Sequence, residues 1–172
     1  MIKHSLKTAA AAVVALVIVQ GTAQSAGFET AAKQAIIVDY ATGAELFGKN
    51  ADEIMEPASM TKMMTVYMLF ERLKEGSLKL EDTFLVSEKA WRKKGSKMFV
   101  PVGGRVSVED LVRGIIVQSG NDASIVVAEG LAGSEEAFAD QMTAKAREIG
   151  MTNTTFRNAS GWPDPGHTTT AR

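Results

Sequence analysis

Pro57-Ala58-Ser59-Met60-Thr61-Lys62-Met63-Met64-Thr65-Val66-Tyr67-Met68-Leu69-Phe70 is the stretch from which the rest of the chain is read. Pro57, just before Ser59, suits the entry to a helix, because its fixed φ is already helical and its missing N–H needs no partner there. From Met60 onward the apolar residues Met63, Met64, Val66, Tyr67, Leu69, Phe70 and Leu73 cover most of a helical circumference. The pattern predicts a helix buried nearly all round, with its methionines as core filler and Gly76 as its stop. Ser59 and Lys62 are three positions apart and so share one face. A serine hydroxyl is a weak nucleophile until a base removes its proton, and a lysine whose pKa is lowered by desolvation can be that base. Unpaired N–H groups at a helix N-terminus add donors for a developing oxyanion.

Upstream, Ala35 to Asp39 and Glu45 to Phe47 are apolar runs joined by Tyr40-Ala41-Thr42-Gly43-Ala44, which reads as a β-hairpin with Gly43 at positive φ. Downstream, Ser87 to Val106 is irregular, with a short helix around Ala90 and Trp91 between loop-marking glycines and Pro101. Ser107 with Asp110 caps a helix carrying Val108, Leu111, Val112, Ile115 and Ile116 at helical spacing. Ser119-Gly120-Asn121 interrupts it, projecting a hydroxyl and an amide from a turn, and Ala123 to Glu129 resumes the helix. Ser134 caps another helix, whose stripe is Phe138, Met142, Ala146 and Ile149, ending at Gly150. Met151 to Arg172 is loop-rich. Two strands followed by helices predict an α+β arrangement. A lone hairpin is marginal in water, so further strands are expected after Arg172.

The composition excludes several classes of function. Of 172 residues, 45% are hydrophobic and 23% charged, an ordinary globular balance, and a net charge of −1 gives no footprint for a nucleic-acid partner. With no cysteine there is neither a thiol nucleophile nor a thiolate metal site. Only His4 and His167 exist, and His167, in a Pro-Gly turn, reads as a solvated loop residue and not as a triad base. The basic run Arg92-Lys93-Lys94-Gly95-Ser96-Lys97 reads as a solvated loop. Lys3, His4 and Lys7 precede an apolar run from Ala9 to Val19, too short for the roughly 20 residues that cross a bilayer. Residues 1–26 therefore read as a signal peptide, cut between Ala23 and Ala26, and the mature chain as exported.

Ser-x-x-Lys followed by Ser-Gly-Asn approaches the signature of penicillin-binding proteins and class A β-lactamases. Three blocks carry the likeness in order: Ile36 to Gly43 with Pro57 to Thr65, Val108 to Ala123, and Asn158-Ala159-Ser160-Gly161-Trp162-Pro163-Asp164-Pro165-Gly166-His167. On these blocks the chain resembles the low-molecular-mass penicillin-binding, serine-type D-alanyl-D-alanine carboxypeptidases. The resemblance implies a penicillin-binding protein and serine β-lactamase-like transpeptidase fold, with 27–172 as part of its catalytic domain. It also implies acylation of Ser59 by a peptidoglycan stem peptide ending in D-Ala-D-Ala, with β-lactams as covalent mimics. Lys62 would take the Ser59 proton, Ser119 would pass a proton to the leaving amine, and Asn121 would hold the substrate amide and the lysine. No cofactor or metal is implied, and the periplasm or outer face of the bacterial inner membrane is the implied location.

One part of the family pattern is not found. The only Lys-Thr is Lys7-Thr8, so the family's Lys-Thr-Gly strand, its C-terminal strands and its membrane anchor are expected to lie outside this sequence. The chain is accordingly read as a truncated fold, a hairpin plus a helical region, with little activity and an open sheet edge of its own. Two alternatives share the residues. A class A-like β-lactamase usually has Asp where Gly120 stands and a deacylating Glu with no clear equivalent here; a catalytically inert binding remnant would take no covalent label.

Overall fold

A computed structural model describes residues 28–172, so the leader assigned to residues 1–26 lies outside the described residues. All the named elements fall in one compact unit, Ala31–Arg172.

The hairpin forms as the sequence predicts, from β1 (Ala35–Val38) and β2 (Glu45–Lys49). Ile36 pairs Gly48 and Ile37 pairs Phe47, antiparallel, with the register slipping between Ile37 and Val38. Its turn is held by the Asp39 carboxylate, which accepts from the Thr42 N–H at 2.8 Å and its hydroxyl at 2.6 Å, while Gly43 takes φ +72°. Ile37, Val38 and Leu46 remain exposed.

A second antiparallel pair escaped the sequence reading: β3 (Thr83–Leu85) with β4 (Arg105–Ser107), Phe84 opposite Val106. Each is three residues long, too short for an alternation of apolar and polar positions to register as a period. The irregular segment between them starts and ends on this pair.

Among the described residues five α-helices make the body. They are α1 (Thr61–Lys74), α2 (Glu88–Arg92), α3 (Val108–Gln118), α4 (Asn121–Ala132) and α5 (Glu135–Glu148). Ser87, Ser107 and Ser134 each accept a backbone N–H three residues on, so three starts are fixed by the serine caps. The central element is α4: Ala123 to Ala128 are all buried, as befits a helix that is apolar on every side. It packs on α1, α2, α3, α5 and β3. One core cluster joins Leu69, Val86, Val108, Leu111, Ile125 and Val126; a second joins Met64, Met68, Phe138, Met142 and Phe156.

For α1 the structure corrects the expectation of near-complete burial. Met64, Val66, Met68 and Leu69 face the cores, but Met63 is 69% exposed, and Tyr67 and Phe70 are more than two-fifths exposed. The side of α1 away from α4 carries large apolar residues with no described element over them. Met60 and Met63 are therefore surface residues, not core filler. Among the described residues no helix is long and apolar enough to cross a membrane.

Candidate active site

The chain enters α1 through a strained turn. Pro57 is helical, Ala58 takes φ +46°, unusual for a residue with a Cβ, and Ser59 sits in a 3₁₀ turn, Ala58–Met60, directly before Thr61. Ser59 is thereby exposed at the helix start while Lys62, one turn on, is 5% exposed. The Lys62 amine donates to Ser59 Oγ at 3.3 Å and to the Ser160 carbonyl at 2.6 Å. Burial, and then the positive charge of Lys93, pull its pKa down to about 8. At neutral pH an appreciable fraction of a normally charged amine is therefore free base, beside a hydroxyl.

The Ser160 carbonyl comes from the far end of the chain. Residues after α5 return to the nucleophile turn through bridges Met55 to Thr169 and Thr155 to Thr168. The Asn158 carboxamide accepts the N–H groups of Ser160, Gly161 and Trp162, which shapes the loop. The Thr65 hydroxyl donates to the Ala159 carbonyl at 2.7 Å, fastening that loop to α1. Gly161, at φ +77°, lies against the Ala58 carbonyl so closely that an added Cβ would overlap it. Gly161→Ala combines an unfavourable backbone region with a backbone clash, and should destabilise by about 2–4 kcal/mol in urea unfolding. A loss under about 1 kcal/mol would show that the two turns do not meet this tightly.

Ser119 ends α3 in the left-handed region, φ +54° and ψ +39°, which breaks the helix between two apolar segments. It lines one cleft of about 530 Å³ with Ser59, Lys62, Met63, Val66, Tyr67, Phe70, Ile115 and Ile116. The turn predicted at Ser119-Gly120-Asn121 thus joins the nucleophile. Asn121 meets the basic loop. Its Nδ2 donates to the Lys94 carbonyl at 2.9 Å and its N–H to the Ser96 carbonyl, while the amine of Lys62 is engaged by Ser59 and Ser160. The basic loop is therefore fastened to Asn121 and not merely solvated. Its Lys93 amine stacks 4.6 Å from the Trp162 ring centre, and Gly95 abuts both Asn121 Nδ2 and Trp162. Asp122, fully buried, accepts from the Met98 and Phe99 N–H groups and pins the end of the basic loop.

His167 corrects a second expectation, for it is 2% exposed. Its Nε2 lies 2.7 Å from Thr61 Oγ1, and the Arg157 N–H donates to its Nδ1 at 3.1 Å. The Pro-Gly turn beside it gave a surface signal, but the returning segment folds the ring inward. The Ser160 carbonyl could not be read from sequence at all, since every residue carries one. Among the described residues no group of three or more His, Asp or Glu side chains is gathered to hold a metal.

A serine and a desolvated lysine at the start of a helix share a cleft with a serine on a helix break, on a small α+β frame. Solved structures share that frame. A D-alanyl-D-alanine carboxypeptidase DacD from Francisella tularensis superposes with a TM-score of 0.81 at 43% identity, over 84% of this chain and 35% of that one. Penicillin binding protein 5 from Haemophilus influenzae gives 0.81 at 37%, over 86% and 44%. The fold is that of the penicillin-binding protein transpeptidases. The chain belongs to the D-alanyl-D-alanine carboxypeptidase family of S11 peptidases, whose model matches residues 19–172. Curated relatives include D-alanyl-D-alanine carboxypeptidases DacC of Escherichia coli, 45% identical over 143 residues, and DacF of Bacillus subtilis, 41% over 140. The chain spans 36% of the length of each, and the matches cover 80% and 81% of the chain.

Proposed function

We propose that the site performs serine-type D-alanyl-D-alanine carboxypeptidase chemistry on peptidoglycan stem peptides, through an acyl-enzyme on Ser59, and that β-lactams acylate the same oxygen. The observation that carries the reading is the hydrogen bond between a pKa-lowered Lys62 and Ser59 Oγ, in a cleft shared with Ser119. The neutral Lys62 amine takes the Oγ proton as Oγ bonds the carbonyl carbon of the penultimate D-alanine. The C–N bond to the terminal D-alanine then breaks, and Ser119 relays a proton to the departing amine. Water adds to the ester, and its cleavage frees Ser59 Oγ with its proton restored. Asn121, its Nδ2 held by the Lys94 carbonyl, offers its side-chain oxygen to a substrate N–H. The Ser160 carbonyl steadies the amine that must receive and return the proton.

Export to the outer face of the bacterial inner membrane follows from the same reading, supported by the leader pattern of residues 1–26 and by the cell-wall substrate. The test of the chemistry is incubation with a fluorescent penicillin and mass mapping of the label. A penicilloyl adduct on Ser59 supports the reading, and a label elsewhere or none overturns it. D-alanine release from a D-Ala-D-Ala peptide, with slow release of the bound penicillin, separates a carboxypeptidase from a β-lactamase.

Lys62 also sets a pH dependence. Its lowered pKa makes the free base the minority form below about pH 8 and the majority form above it. The labelling rate should rise about tenfold per pH unit up to roughly pH 8 and then level off. Stopped-flow labelling between pH 6 and 10 checks this, and a rise continuing to the ordinary lysine range would contradict it.

A further inference from the structure

We propose that His167 is a positioning residue for the nucleophile, its imidazole holding the first turn of α1 against the returning segment whose Ser160 carbonyl receives the Lys62 amine. The proposal rests on the acyl-transfer reading above. Its geometry begins with the two ring nitrogens. Because the Arg157 N–H donates to Nδ1, that nitrogen must present a lone pair, so the proton of the neutral ring is on Nε2 and is donated to Thr61 Oγ1. Thr61 is 1% exposed and lies between Ser59 and Lys62 in sequence, so fixing its side chain fixes the phase of the turn carrying both.

The ring also stands at a junction of backbone. Thr155 pairs with Thr168, and Thr169 with Met55 just before the nucleophile turn, while Phe156 meets the imidazole edge-on at 5.6 Å. His167 thus joins α1, residues 155–157 and its own 167–169 segment in one contact set. No comparable link could be made by a protonated ring. An imidazolium carries N–H on both nitrogens, and its Nδ1–H would point at the Arg157 N–H. Burial pushes the ring pKa below the ordinary histidine value, and the charges of Asp164 and Glu56 oppose that only in part. These two carboxylates line a small cavity with His167, and the Arg157 guanidinium packs beside Gly166 on the other side. The neutral, clamping form is therefore the resting one, and acid releases the clamp.

The experiment has two independent readouts. Long-range ¹⁵N NMR of the protein should show the Nε2–H tautomer, with a midpoint below the ordinary histidine value; an Nδ1–H tautomer or a higher midpoint overturns the proposal. Penicillin labelling should slow by about tenfold or more in His167→Ala. His167→Gln, whose amide can still donate to Thr61, should restore most of the rate. In the wild type the acid limb should steepen from tenfold to about a hundredfold per pH unit as the ring protonates, whereas His167→Gln should keep the tenfold slope. Equal slopes in the two proteins, or a His167→Ala rate equal to wild type, would sink the idea. If the wild type takes no label, the acyl-transfer reading fails by itself, and the Lys62 side-chain NMR signals then decide the positioning claim. They should shift in His167→Ala if the turn is released, and their constancy would show that His167 positions nothing.

Discussion

Ser59→Ala should abolish covalent penicillin labelling while leaving the fold intact. The oxygen that forms the ester is removed, and no second nucleophile can take its place. Ser119 lines the same cleft, but its hydroxyl is on a helix break without the paired amine that Lys62 gives Ser59. The expected loss is complete within detection, at least about 10³-fold, in line with the large effects of deleting a nucleophile elsewhere. Ser59 is exposed, so unfolding should change by no more than about 0.5 kcal/mol. That pairing of results distinguishes a lost nucleophile from a collapsed site. Labelling that persists at Ser59→Ala would remove the proposed mechanism, and mass mapping would then identify the real acceptor.

Lys62→Met should slow labelling by about 10²–10⁴-fold, the usual worth of a positioned general base, while the protein stays folded. Methionine fills a similar volume and removes a desolvated cation, so its main structural cost is the donor lost by the Ser160 carbonyl, about 1 kcal/mol. No neighbouring base should compensate. His167 has both nitrogens committed to Thr61 and Arg157, and Lys93 is stacked on Trp162. The pH profile gives a second check: in Lys62→Met the rise toward pH 8 should vanish from whatever labelling remains. A variant labelled at near the wild-type rate, or one retaining the same rise, would transfer the role of base to another group.

Much of this was legible because it depends on neighbours in sequence. Ser59 and Lys62 share a helical face wherever that helix forms, and the hairpin turn needs only Asp39, Thr42 and Gly43 in order. The serine caps are local too, since a side chain within three residues satisfies the N–H in question, and the break at Ser119 lies in one residue's left-handed backbone. The three family blocks carried the fold assignment, and the structural likeness agrees with it.

What the sequence could not decide were contacts across long separations. The carbonyl that receives Lys62 lies 98 residues away and belongs to a backbone that any residue would supply. His167 looked like surface because its neighbours are turn formers; its burial follows from a return of the chain 106 residues after Thr61. The exposed side of α1 failed for the opposite reason. Met63, Tyr67 and Phe70 are apolar enough to predict burial, but hydrophobicity states only that a face favours cover, and the position of other elements decides whether cover is there. The residue types at the site, and their order along the helix, were thus determined by sequence alone. The desolvation that lowers the Lys62 pKa, and the partners that hold its amine, exist only once distant segments have packed around it.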